Sequence, residues 1–196
     1  MLIEKKGGTA VKLIWKGTFD GDIESLPKGE HQPGAVAFKE AEDTKELAKV
    51  ANIISIAIIL VLMVVYFLRC RTSLSFVGIL LSLLTLVPHE LLHAVCFRET
   101  VYMYSNLKQG MMFVLGPETM SRTRFVVMSL LPNVVFGVIP FVLFLVRPEW
   151  RVLGSMGAFC ISMGVGDYYN VYNAMTQMPK GARTYLHGFH SWWYMP

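Results

Sequence analysis

Charged residues are few in this sequence, 16% of 196 amino acids against 54% hydrophobic, a balance that excludes an ordinary water-soluble domain of this size. Cysteine is also sparse. Cys70, Cys96 and Cys160 stand apart with no C-x-x-C spacing, which leaves neither a disulfide framework nor a cysteine zinc site, and packing is their remaining role. The excess of positive charge is small, +4, and its basic residues lie between apolar runs instead of alternating with aromatics. Nucleic acid is therefore not an expected partner. No signal peptide is readable at the start, no internal repeat is apparent, and the ten-residue alternation of a membrane barrel is missing.

What the chain does have is long apolar runs, near 50–68, 74–97, 125–146 and 152–175, each about 20 residues and so long enough to cross a bilayer. In hydrocarbon the backbone must satisfy its own hydrogen bonds, which makes helices the natural choice. The expected fold is an all-α integral membrane protein with four transmembrane helices. Residues 1–48 form a polar N-terminal segment, 49–175 the membrane domain, and 176–196 a tail whose His187, His190, Trp192, Trp193 and Tyr194 suit a membrane interface. Within the first segment, Val11 to Trp15 reads as a short strand, and 38–49 as a helix feeding the first span.

Lys and Arg near the span ends set the orientation. With four spans, Lys39, Lys45, Lys49, Arg98, Lys108, Arg122, Arg124, Lys180 and Arg183 share one side, against Arg69, Arg71, Arg147 and Arg151 on the other. The excess points to a multi-pass protein of the cell membrane with both termini in the cytoplasm.

Inside the second apolar run lies Pro88-His89-Glu90-Leu91-Leu92-His93. On a helix, His89 and His93 are one turn apart on one face, so both imidazoles can grip one metal ion while Glu90 reaches a metal-bound water. Neutral imidazoles are zinc ligands, and zinc brings the pKa of bound water to roughly 7, so a carboxylate can take its proton. Ionisable groups at membrane depth cost roughly 2.5 to 3.5 kcal/mol each and are functional candidates by default. The plainer alternative is a His pair hydrogen-bonded across helices, with Glu90 as partner and no metal. Pro88 should bend the second span as it reaches the histidines, either opening a polar cavity or simply being tolerated, with Thr85 able to satisfy part of the freed backbone.

After the motif, 100–105 and 110–115 read as two short strands around a turn. Their open edge could take an extended substrate by strand addition, or the hairpin could merely hold the helices apart. The third span carries Pro132-Asn133 and Pro140. Asn133 serves either helix packing or the polarisation of a scissile carbonyl. The fourth is built on small residues, Gly154, Gly157, Ala158, Ser162, Gly164 and Gly166, before it meets Asp167.

Taken together, His89-Glu90-Leu91-Leu92-His93 in an apolar span, the strand-like loop, the Pro-containing third span and a later Asp resemble the intramembrane zinc proteases of the site-2 type. They are more similar still to a small bacterial membrane family described as putative zincin peptidases. The resemblance implies zinc on His89, His93 and Asp167, Glu90 as general base, and cleavage of a membrane-associated polypeptide. Site-2 proteases place their third ligand in an Asp-Gly context, whereas here Gly166 precedes Asp167 and Tyr168 follows.

Depth in the bilayer agrees with Asp167. Counted from Leu74 and Val152, His89 and Asp167 each lie 15 residues into spans that run the same way, about 22 Å along a helix. Glu99 sits where metzincins place a third His, but Cys96 replaces the glycine of that turn, and Glu118 belongs to a polar loop. The alternative for Asp167 is a hydrogen bond to a neighbour such as Asn170. For the whole chain, the alternative to a membrane metalloprotease is a non-catalytic scaffold, immunity or partner protein, which would have no need of Glu90.

Overall fold

A computed structural model describes the chain apart from residue 1 and residues 4–10, 41–43 and 107–109. Two units can be separated, one comprising residues 1–40, 90–128 and 171–196, the other residues 41–89 and 129–170.

The first unit overturns the all-α expectation. It holds two four-stranded sheets. One is ordered β1 (Leu2–Ile3), β2 (Val11–Thr18), β4 (Val101–Asn106), β5 (Met111–Leu115). The other runs β3 (Val36–Ala37), β8 (His190–Tyr194), β7 (Arg183–His187), β6 (Met120–Ser121). The strand-like run from Val11 is β2, which lies parallel to β4 with Leu13 opposite Val101 and a register shift between Trp15 and Gly17. The hairpin read after the motif is β4 and β5, paired antiparallel from Tyr102↔Leu115 to Asn106↔Met111; its turn, 107–109, lies outside the described residues. The C-terminal aromatics form a second hairpin, β7 and β8, with β3 added at its edge through Val36↔Trp193. Leu13, Phe38, Ala94, Phe97, Val101, Phe125, Met128, Ala174 and Met178 form the core of this unit, and Trp193 packs against it. The helix expected over 38–49 starts later, because Phe38 follows β3 with its N–H on Ser191 O at 3.0 Å. The first helix, α1, spans Thr44–Cys70, and residues 41–43 ahead of it lie outside the described residues.

The second unit is helical, and it corrects the count of four spans. Among the described residues three helical stretches are long and apolar enough to cross a membrane, Ala48–Cys70, Phe76–Ala94 and Arg122–Val146. The fourth run is broken. α6 (Arg151–Met163) stops at Gly164, and α7 (Val165–Gln177) carries Asp167, Tyr168, Tyr169, Asn170 and Asn173. The 13 residues of α6 extend about 20 Å, short of a hydrocarbon core about 30 Å thick. α6 is instead the hub of its unit, packed against α1, α2 (Phe76–Leu84), a π-helical turn at Asn133–Val138 and α5 (Ile139–Val146). Its small residues make that approach possible. A Cβ at Gly157 would lie 2.6 Å from Phe141 N and 2.7 Å from Gly137 O, and Ser155 Oγ accepts the Ser75 N–H at 2.8 Å where α2 begins. Tyr66 is fully buried and stacks on Phe144 at 4.6 Å.

α1 has the opposite character. Ile53, Ile56, Leu60, Val61, Val64, Phe67 and Leu68 are all exposed, a contiguous apolar face of the kind that a lipid or protein environment covers.

Candidate metal centre

The second span is two helices. α2 ends at Leu84 with Thr85 as its C-cap, and α3 covers Leu86–Ala94. Pro88 therefore falls in the first turn of α3, where a missing N–H costs little. The bend expected at the proline is a break at Thr85, whose hydroxyl donates to Ser82 O at 2.6 Å.

α3 carries His89, Glu90 and His93, and the ligand atoms of the three lie within 4.8 Å of one another. Glu90 and His93 are buried, and the His89 side chain is 18% exposed. This is the one cluster of metal-ligand type and size among the described residues. His93 is oriented from behind, because its Nδ1 is 2.8 Å from Met128 O. A carbonyl can only accept, so Nδ1 carries the hydrogen and Nε2 the lone pair, the tautomer in which Nε2 can ligate a cation.

The acceptor has a local cause. In the helix α4 (Arg122–Pro132), the residue that would donate to Met128 O is Pro132, four positions on, and proline has no N–H. The carbonyl left over is the one His93 uses. Neither Met128 nor the consequence of Pro132 stood out in the sequence, although an imino acid four residues after a buried carbonyl is a signal that can be read.

Asp167 lies in the first turn of α7, with its Oδ2 3.2 Å from His89 Nε2. Two ligands on a tetrahedral zinc, with bonds of roughly 2.0 to 2.1 Å, have their atoms about 3.3 Å apart. The pair therefore fits a shared cation, and the donor set, imidazole nitrogens and a carboxylate, suits zinc. Asp167 also accepts from Asn133 Nδ2, in the π-helical turn, at 2.7 Å. Asn133 itself is 1% exposed.

The competing carboxylates are occupied otherwise. Glu118 is buried and accepts the N–H groups of Arg98 and Glu99 at 2.7 and 2.6 Å through Oε2, while Oε1 is paired with the Arg124 guanidinium. It ties down the turn that follows α3. Glu99 is exposed, and its described contact here is its backbone. His187 and His190 belong to the C-terminal hairpin, where His187 Nδ1 donates to Gly29 O at 2.8 Å and His190 Nδ1 lies 3.8 Å from Glu40.

Comparison with known proteins agrees with this chemistry. No curated protein and no solved structure matches the chain. Residues 82–183, which include His89, Glu90, His93, Asn133 and Asp167, match the model of a family described as putative zincin peptidase. A zincin is a zinc peptidase by name, which implies that metal and that class of reaction. Since the match takes in more than half of the sequence, the chain belongs to the putative zincin peptidase family.

Proposed function

We infer that this protein is a zinc-dependent membrane peptidase of the H-E-x-x-H type, hydrolysing a peptide bond of a membrane-associated polypeptide. The observation that carries the reading is the 3.2 Å approach of Asp167 Oδ2 to His89 Nε2, on the helix where His89, Glu90 and His93 are clustered. His89, His93 and Asp167 are the ligands in this reading. Zinc held by them supplies a Lewis acid for the scissile carbonyl and makes water acidic enough to be used near neutrality.

Each residue has a task its surroundings suit. Glu90, buried and one residue from His89, takes a proton from the attacking water and returns it to the departing amine. His93 is held in one tautomer by Met128 O. Asp167 contributes a negative charge that offsets part of the cation's, so less net charge remains in a low-dielectric setting.

The exposed apolar face of α1 and the three long apolar stretches support a membrane setting. β3, which precedes α1, pairs with β8, which follows α7. The resemblance to site-2 type proteases belongs to the same proposal, and with it a substrate cut within or close to the bilayer.

The test is turnover with the base removed. Incubated in vesicles with candidate membrane polypeptides, the wild type should process one that Glu90→Gln leaves whole, with a loss of about 100- to 10,000-fold. Equal processing by the two would overturn the assignment of Glu90.

A further inference from the structure

We propose that Asn133 is the positioning residue for Asp167, fixing the face that its carboxylate presents to His89. The inference rests on the reading of Asp167 as a zinc ligand.

Burying an amide is costly unless its hydrogen bonds are made, and at Asn133 they are. Nδ2 carries two hydrogens and has two acceptors, Ser129 O at 3.2 Å and Asp167 Oδ2 at 2.7 Å. On the other side of the amide, the Tyr168 hydroxyl lies 3.5 Å from Oδ1 while donating to Ile161 O at 2.9 Å. Both neighbours of Nδ2 are pure acceptors, and these two contacts fix the amide orientation.

Two backbone features bring the amide to the carboxylate. The first is Gly164, where any Cβ would overlap the Asn133 side chain. The second is the π-helical turn Asn133–Val138, in which Ile139 N–H reaches back five residues to Val134 O. The additional residue shifts Asn133 by about 100° around the axis relative to α5, compared with a regular helix. Such turns are rare and occur frequently at functional sites.

The effect on Asp167 is specific. Its Oδ2 is shared between a donor at 2.7 Å and the His89 ring at 3.2 Å. Rotation of the carboxylate about its own bond would give up the amide hydrogen bond, so Asn133 limits that rotation. Helix packing alone would not require the amide to end on a candidate ligand.

The full chain, purified in detergent, provides the test through metal binding instead of activity. Zinc affinity is measured by chelator competition, and the visible absorption of the cobalt(II)-substituted protein reports ligand geometry. Asn133→Leu keeps the volume and removes the donor; it should weaken zinc binding about 10- to 100-fold and alter the cobalt spectrum, with the helical circular dichroism unchanged. Asn133→Ser, which adds no bulk and cannot reach Asp167, should do the same and replaces the Leu variant should that one fail to fold. Asp167→Ala is the reference. If Asp167→Ala loses affinity while both Asn133 variants bind zinc as wild type and give its cobalt spectrum, the positioning role is wrong and the ligand assignment stands. If Asp167→Ala binds zinc as wild type does, the ligand assignment falls and this inference falls with it.

Discussion

His93 Nδ1 donates to the carbonyl of Met128 at 2.8 Å, the carbonyl that the helix itself leaves unclaimed because Pro132 has no N–H. Pro132→Ala returns a donor to the helix and sets it in competition with His93 for that oxygen. The variant should be at least as stable to heat as wild type, yet bind zinc about tenfold more weakly. Chelator competition measures this. Unchanged affinity would show that the proline serves helix shape alone.

The hub helix α6 makes a packing prediction. At Gly157 a side chain meets backbone atoms, Phe141 N and Gly137 O, which cannot turn aside. Gly157→Val should lower stability by about 1 to 3 kcal/mol or more. At Gly166, on α7, a Cβ meets nothing within 4 Å, so Gly166→Ala should be neutral or slightly stabilising. Thermal unfolding in detergent separates the two, and an equal loss would refute close packing at Gly157.

Burial pushes the Glu40 carboxyl above its usual value, despite the Ser191 N–H it accepts at 3.2 Å and a His190 ring 3.8 Å away. A raised acid is favoured in its neutral form by the fold. Its contribution is therefore complete below the ordinary glutamate pKa and is lost as pH rises through the raised value. Exchange protection of the β8 amides, corrected for intrinsic rates, should fall across that window in wild type and stay level in Glu40→Gln. A fall of equal size in Glu40→Gln would assign the dependence to another group.

The parts of this protein that were legible in its sequence are the local ones. His89, Glu90 and His93 depend only on helical periodicity, and β4 and β5 are close in the chain, ending at Asn106 and starting at Met111, so neighbouring residues specify both. The four-span fold failed for two different reasons. Gly164 ends α6 within an apolar run whose composition still reads as continuous, and the remainder, α7, is too polar to complete a span. The sheets depend on partners far apart in the chain, such as Val36 with Trp193 and Leu13 with Val101, and no local pattern announces them. Asn133 was visible as an amide inside an apolar run. Its pairing with Asp167 depends on how two helices pack and on a π-helical turn, which periodicity does not encode.

A direct test of the central claim is the zinc content of purified protein. The account predicts about one zinc per chain in wild type and in Glu90→Gln, and none in His93→Ala, because Glu90 acts on water while His93 is a ligand. Well-folded wild type that holds no zinc after exposure to it, or a His93→Ala variant that retains a full equivalent, would contradict it.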